Sequence, residues 1–191
     1  MELMIAMSMT LILLGIAATI FTISLNTRTR ESSRTDALTA AQSALNVISR
    51  EVSNSGYGLT SNGIVIADSN ATRLHFRANI ENQDLTTNSP GEDVTYYFDP
   101  DTESIMRYDP HDSPTTSVII NRISSVTFHY YDYAGASSIP TDSAVPTSNT
   151  GRVGITVTVK LENVVGQPDD QSVEFITDVN LRNSNYMLNQ Y

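Results

Sequence analysis

The first part of the chain contains its longest uninterrupted hydrophobic stretch. Residues 3–25 carry no charged side chain, Glu2 directly precedes them, and Arg28 is the first charge after them. At about 1.5 Å of rise per residue, a helix of this length spans the roughly 30 Å hydrocarbon layer of a bilayer. The pattern therefore predicts a transmembrane helix, with the rest of the chain on one side of the membrane.

A one-sided helical pattern follows a polar segment. Residues 26–36 are polar on every side, and there we expect the helix to bend or melt most easily. Apolar residues then recur at spacings of 3 and 4, as on one face of a helix. The predicted helix-to-sheet packing residues are Leu38, Ala41, Leu45, Ile48 and Val52. We expect this half to pack against one sheet and to end at residues 54–58, where Gly56 supplies a left-handed cap.

Beyond the helix, apolar and polar residues alternate, which predicts antiparallel strands with one buried and one wet face. Clusters of turn-forming residues separate the strands. The predicted strands are residues 64–67, 74–78, 94–99, 105–108, 118–122, 126–131, 153–161 and 173–181. Residues 133–151, rich in Ser, Thr, Ala and Pro, are too long for an ordinary connection and are interpreted as a variable loop.

These patterns predict an α+β fold in which one long helix packs on an antiparallel β-rich head. Residues 1–27 are the transmembrane or filament-core part of the helix, and residues 28–55 are its amphipathic continuation. Residues 56–191 form the head, which has the size of one ordinary domain.

Composition limits the function classes. The net charge is −10 and Lys160 is the only lysine, which argues against broad nucleic-acid binding. The chain has no cysteine, so it has no disulfide and no cysteine-based metal site. The positive-inside rule conflicts with an external head, because Arg28, Arg30 and Arg34 all follow the apolar span.

Carboxylates alternate in one predicted turn. Asp99, Asp101 and Glu103 are candidate calcium ligands, with Asp109 and Asp112 farther on. The spacing lacks the glycine and the final glutamate of an EF-hand, so we interpret the cluster as a solvated hairpin turn. Residues 169–170, an Asp-Asp pair, receive the same interpretation, and no cofactor is predicted.

No arrangement of residues typical of an enzyme is present. His75, His111 and His129 lack metal-site spacing, and we expect His75 and His129 on solvated strand faces. The chain has no Gly-x-Ser-x-Gly elbow and no phosphate loop. Arg73 and Arg77 share one strand face and are also expected to be solvated. Several tyrosines fall on predicted strands, where we expect them to be half-buried: Tyr96, Tyr97, Tyr108, Tyr130, Tyr131 and Tyr133. We predict that the chain is not an enzyme.

The run Glu2-Leu3-Met4-Ile5-Ala6-Met7, followed by an unbroken apolar stretch, resembles the amino terminus of type IV pilins and of the pseudopilins of type II secretion systems. Later segments are similar, in order, to W-type minor pilins and J-type pseudopilins. These are the helix end at residues 44–58, the hairpin at 94–108, the strand and turn at 126–135, and the closing strand at 175–183. The helix proline and C-terminal disulfide of many major pilins are absent.

The resemblance implies a filament subunit that assembles through its amino-terminal helix. Glu2 would neutralise the terminal amine of a neighbouring subunit. The residues implied in filament assembly are Glu2, Leu3, Met4, Ile5, Met7, Leu11, Leu14 and Gly15. Implied partners are homologous pilin or pseudopilin subunits, the inner membrane before assembly, a prepilin peptidase and the assembly machinery.

Three interpretations remain open. The chain is a pilin, which we expect to be minor although a major subunit also fits, a J-type pseudopilin, or a single-pass anchored extracytoplasmic binding domain. In the first two, the head faces outward from the inner membrane and ends in an extracellular or periplasmic filament. The family carries a basic leader before its Glu-Leu pair, whereas only Met1 precedes Glu2 here. Either the chain begins upstream of Met1 or its amino terminus differs from that of the family.

Overall fold

The computed structural model describes residues 2–81, 86–134, 139–161 and 171–188. Within these ranges the chain forms a long helix, two four-stranded sheets, a 3-10 turn and a short final helix. The long helix α1 is Glu2–Ser53, the 3-10 turn is Ile66–Asp68, and α2 is Asn185–Leu188. The strands are β1 (Arg73–Arg77), β2 (Asp93–Asp99), β3 (Ser104–Tyr108), β4 (Thr116–Ile120), β5 (Ile123–Asp132), β6 (Thr141–Ser143), β7 (Thr150–Lys160) and β8 (Ser172–Asn180). The α+β layout is thereby confirmed.

Helix α1 runs without a break through the polar segment at residues 26–36, the part where we expected it to bend or melt most easily. Thr29 and Thr35 donate their hydroxyls to the carbonyls of Leu25 and Glu31, at 3.0 and 2.8 Å, so these side chains are satisfied inside the helix. The helix ends as predicted, because Gly56 has φ +77° and a Cβ there would lie 2.4 Å from the Ser61 carbonyl oxygen. No other residue type fits that turn without displacing the backbone.

The strands form two sheets rather than the single sheet expected. The first has the order β1-β2-β3-β4, the second has the order β6-β5-β7-β8, and all neighbouring strands are antiparallel. The chain leaves the first sheet after β4, and Arg122, with φ +61°, turns it into β5. Alternation in the sequence reports which face of a strand is buried, but not which strands pair, so it could not reveal two sheets.

Seven of the eight predicted strands are present, with bounds shifted by a few residues. The predicted strand at residues 64–67 is wrong. Ile64 makes only an isolated bridge with Phe76, and the chain then forms the 3-10 turn at Ile66–Asp68. The backbone N–H of Asp68 donates to the Val65 carbonyl at 3.1 Å, a local bond that replaces strand pairing.

The core lies between α1 and both sheets. The helix contributes Ala41, Ala44, Leu45, Ile48 and Val52, all buried, and Ile48 is fully so. Leu38 is only half-buried, because the head begins to cover the helix at that level and Ala37 also packs there. The buried aromatic and aliphatic residues of the sheets complete this core: Ile64, Leu74, Phe76, Val94, Tyr96, Ile105, Ile120, Ile123, Val126, Phe128, Tyr130, Val153, Ile155, Val157, Val159, Val179 and Leu181.

The segment predicted as a variable loop, residues 133–151, contains β6 and the start of β7. The carboxylate of Asp132 accepts from the hydroxyls of Thr147 and Thr150, at 2.8 and 2.5 Å. Buried Asn62 donates from Nδ2 to the carbonyls of both threonines, at 3.0 Å each. The described part of the segment at residues 133–151 is therefore fixed to the head. Gly135 lies outside the described residues.

We expect Ile48→Ala to lower the free energy of unfolding of the head by about 2–5 kcal/mol, because it removes a fully buried side chain from the contact between α1 and the sheets. Urea unfolding of the detergent-solubilised full chain, followed by near-ultraviolet circular dichroism, measures the change. Asn46→Ala, at an exposed position of the same helix, should change it by less than about 0.5 kcal/mol. Equal unfolding midpoints for the two variants would contradict this packing.

Candidate functional site

The apolar half of α1 is a surface that the described residues of the head do not cover. Its large apolar side chains between Leu3 and Leu25 are 48–75% exposed. The mean hydropathy of its most apolar stretch is 2.3, and none of that stretch is buried. A helix that is apolar on every side is stable only in surroundings that remove it from water. By length and composition, this helix is able to serve as a membrane anchor.

The residues implied in assembly all lie on this projecting part. Contact with the head begins at Ala37, so α1 extends roughly 50 Å beyond the head at about 1.5 Å per residue. Glu2 lies in the first turn, at the far end. A Cβ at Gly15 would meet no atom within 4 Å, so the helix surface is open there. The remaining members are exposed as well: Leu3, Met4, Ile5, Met7, Leu11 and Leu14.

Four of the five hydroxyl side chains within this surface form hydrogen bonds with carbonyls of the helix itself. Ser8 donates to the Ile5 carbonyl at 2.9 Å and Thr10 donates to the Ala6 carbonyl at 2.7 Å. Thr19 and Thr22 donate to carbonyls four residues back, at 2.9 Å each. A hydroxyl with an internal partner adds little cost in lipid, since it needs no hydrogen bond from water. The surface therefore behaves as apolar although its sequence contains hydroxyls.

A charged cluster attaches α1 to the first sheet. Oε2 of Glu51 accepts from the Tyr96 hydroxyl at 2.7 Å and from Nε of Arg107 at 3.1 Å. Arg107, whose side chain is 12% exposed, also contacts fully buried Asp109 at 3.3 Å and Asp112 at 3.2 Å. Burial disfavours the guanidinium charge, but the hydrogen bond and charge of Glu51, together with Tyr96 and Asp109, outweigh burial and raise the pKa of Arg107. Burial, together with the Glu51 charge, raises the pKa of Tyr96.

The sequence did not predict this cluster. Glu51 and Arg107 are 56 positions apart, and no periodicity relates residues at that distance. Asp109 further fixes the local backbone, because its carboxylate accepts from the N–H groups of Gly91 and His111, at 2.6 and 2.9 Å. The cluster therefore holds the end of the helix, β2, β3 and the following turn together.

The expectation of a solvated His75 is wrong. Its Nδ1 lies 2.8 Å from Asp68 and its Nε2 lies 2.5 Å from Asp93, and the ring is 13% exposed. The two arginines of β1 contact the same carboxylates: Arg73 pairs with Asp68 at 3.0 Å, and Arg77 pairs with Asp93 at 3.2 Å. Burial alone would raise the pKa of Asp93, but hydrogen bonds from His75 and Arg77 and their charges lower it below its usual value.

The carboxylates of two of the three candidate calcium ligands, Asp99 and Glu103, have partners within the head. Asp99 accepts from the Asp101 N–H at 3.1 Å and from the Thr102 hydroxyl at 2.7 Å, while Glu103 pairs with Lys160. Among the described residues, no group of three or more His, Asp or Glu side chains is arranged to hold a metal ion. The Asp-Asp pair at residues 169–170 lies outside the described residues. His111 is exposed, and His129 lies 3.5 Å from Asp142.

The tyrosines are spread over separate environments. Tyr96 and Tyr130 are fully buried, and the Tyr130 hydroxyl donates to the carbonyls of Asn70 and Arg73, at 3.0 and 3.1 Å. Burial raises the pKa of Tyr130. Tyr131 lies under the Arg152 guanidinium, 4.0 Å from it, and Tyr133 stacks on Tyr186. Tyr97 lies under Arg73 and Tyr108 is 39% exposed, so no common tyrosine surface results.

A groove of about 610 Å³ lies beside β1. Both polar and apolar residues line it: Thr60, Ser61, Thr86, Thr87 and Arg77 together with Leu59, Gly63, Ile64 and Val65. Its size falls within the range of small-molecule sites. The groove is thus a mixed polar and apolar surface on the head, separate from the apolar helix.

Comparison of the chain with protein-family models, with curated proteins and with solved structures gives no match.

We expect Arg107→Met to lower the free energy of unfolding by about 3–5 kcal/mol, because it leaves Asp109 buried without its positive partner. Urea unfolding of the solubilised full chain provides the measurement. Arg34→Met, at an exposed position of the same protein, is the matched control and should leave the unfolding midpoint unchanged. A small loss for Arg107→Met, equal to that of the control, would show that the cluster does not stabilise the head.

We expect Asp93 to contribute stability above the unfolded-state pKa of about 4 and to lose that contribution as pH falls through its lower folded pKa. Asp93→Asn should therefore cost about 1–3 kcal/mol at pH 7, and the cost should shrink between pH 4 and more acidic values. Urea unfolding at a series of pH values tests this. Asp101→Asn, on an exposed hairpin, is the control, and a cost for Asp93→Asn that is constant with pH would refute the linkage.

Proposed function

We propose that this chain is a structural subunit of a type IV pilus-like filament that assembles through its amino-terminal helix. The proposal rests on one observation: an apolar helix segment, exposed on all sides, that projects roughly 50 Å ahead of a folded head. Lipid and a bundle of similar helices are the two surroundings that stabilise such a segment. In this proposal, α1 is anchored in the inner membrane first and then enters the core of the filament.

The transfer changes the neighbours of the helix without changing its hydrogen bonds. Lipid chains are as apolar as leucine, so the hydrophobic effect does not drive association of helices within the membrane. Close packing between the helices has to drive it instead. Gly15, with open space around it, allows another helix to approach closely. Because Ser8, Thr10 and Thr19 already donate within α1, they need no new partner in either environment.

Glu2 is proposed to set the axial register of the helices. A carboxylate in apolar surroundings is costly unless a positive group pairs with it. The amino terminus of a neighbouring subunit is the partner that the resemblance to pilins implies. One such pair in a low-dielectric core favours a single axial offset between neighbours, because other offsets leave both charges unpaired.

The head is proposed to be carried passively, since no catalytic step is assigned to it. Unbroken α1 and the cluster of Glu51, Tyr96 and Arg107 make the attachment between head and filament core stiff. Homologous subunits, a prepilin peptidase and the assembly machinery are the proposed partners. A minor subunit is favoured by the likeness to W-type pilins, and a J-type pseudopilin would use the same helix in a secretion filament.

A second candidate function is a single-pass anchored binding domain that does not polymerise. The groove beside β1, which contains Arg77, is the feature that favours it, since a site of this size accommodates a small molecule. In that case Glu2 would lie at the headgroup level, near the positive end of the helix.

We expect Glu2→Gln to abolish filaments while the chain remains in the membrane, since the change removes the charge with little change in volume. Source cells carrying the variant are sheared, the filaments are counted by electron microscopy, and the membrane fraction is probed with antibody. Glu31→Gln, an exposed carboxylate on the polar part of α1, is the matched control and should leave filaments in normal number.

Normal filament numbers with Glu2→Gln would contradict the proposed role of Glu2. Cells whose wild-type chain stays dispersed in the membrane, without any filament, would instead favour the anchored binding domain.

A further inference from the structure

The turn that leads into β1 carries an acceptor sequence for N-glycosylation. Asn70-Ala71-Thr72 is the only Asn-x-Ser/Thr triplet in the chain that lacks a proline in the middle. It lies between the 3-10 turn and the start of β1, at the surface of the head. Asn70 and Thr72, the two residues that define the triplet, are both exposed.

The local geometry presents both side chains together. Oδ1 of Asn70 accepts from the N–H of Thr72 at 2.9 Å and from its hydroxyl at 3.1 Å. Within the described residues, no hydrogen bond is formed by Nδ2 of Asn70, the atom that a glycan would occupy. An enzyme that binds the Thr72 hydroxyl would therefore have Nδ2 of Asn70 beside it.

The backbone of the turn is fixed by other atoms. The Asn70 N–H donates to the Arg73 carbonyl at 2.8 Å, and the Asn70 carbonyl accepts from the Tyr130 hydroxyl at 3.0 Å. These bonds do not involve Nδ2, so a substituent there disturbs none of them.

We propose that Asn70 is N-glycosylated on Nδ2 by an oligosaccharyltransferase whose donor is a lipid diphosphate oligosaccharide. The Nδ2 lone pair forms a bond to C1 of the first sugar, and the bond from C1 to the diphosphate oxygen breaks. The lipid diphosphate leaves with that electron pair, and Nδ2 loses one proton, which the diphosphate or water accepts. Nothing is oxidised or reduced.

The inference rests on the proposed extracytoplasmic head, because lipid-linked glycans are transferred on that side of the membrane. A glycan on Asn70 would also restrict the orientation of the head in a filament. A glycan on Asn70 needs free space, so the turn before β1 faces solvent rather than a neighbouring subunit.

The test uses full-length chain purified from its source cells and digested with trypsin. Cleavage after Arg50 and Arg73 releases peptide 51–73, which contains Asn70. We expect mass spectrometry with electron-transfer fragmentation to place a glycan on Asn70. Asn70→Gln and Thr72→Ala should leave the peptide wholly unmodified, whereas Thr72→Ser, which keeps the hydroxyl, should retain the glycan.

Asn149→Gln is the matched control, because Asn149 is exposed but is followed by Thr150 and Gly151 and so lacks the acceptor pattern. Protease added to spheroplasts, in which only the inner membrane is intact, reports in parallel on which side of that membrane the head lies. An unmodified peptide 51–73 from a head that the added protease digests would overturn the glycosylation alone. A head protected in spheroplasts but digested after lysis would overturn both this inference and the proposed extracytoplasmic filament.

Discussion

An apolar helix that is exposed on every side has to be removed from water by something outside its own chain. That constraint governs the arrangement of this protein, because no described residue of the head covers the large apolar side chains between Leu3 and Leu25. The head has a core of its own, to which only the second half of α1 contributes. One continuous helix therefore belongs to two environments, and residues 26–36 are the polar connection between them.

The two halves of α1 are held to their environments by different physics. The second half is fixed by close packing of Ile48 and Val52 and by the charged contact from Glu51 to Arg107. Packing and a buried ion pair both depend on position to within an ångström or so, which makes this attachment specific. The first half has no fixed partner in the part of the head that the structure describes, and the hydroxyls of Thr10, Thr19 and Thr22, which donate within the helix, leave it free to exchange lipid for protein. A stiff attachment and an exchangeable surface are the properties that a filament subunit requires of one helix.

The sequence predicted those features that depend on local period. The 3.6-residue repeat located Ala41, Leu45, Ile48 and Val52, and the two-residue repeat located most strands. The strand prediction failed at residues 64–67. An apolar run there looked like a strand, but hydrogen bonds among residues 65–69 form a 3-10 turn. It placed His75 on the outer face of β1 but could not show that Asp68 and Asp93 enclose the ring, because they come from other elements. The division into two sheets was hidden for the same reason, since pairing between strands is not encoded in the period of either one.

Charge explains why the helices, rather than the heads, would drive association. Along α1 the four acidic residues are matched by four arginines: Glu2, Glu31, Asp36 and Glu51 against Arg28, Arg30, Arg34 and Arg50. The net charge of −10 therefore resides in the head, and like-charged heads repel one another at distances of about 8–10 Å and less. The last strand of the second sheet adds to this effect. If two copies of β8 paired antiparallel around exposed Ile176, Glu174 of one would face Asp178 of the other, which disfavours contact through that edge. The heads repel one another, and the helices expose apolar surface that needs a partner. Together these two properties favour assembly through the helix end, with the heads spaced apart on the outside.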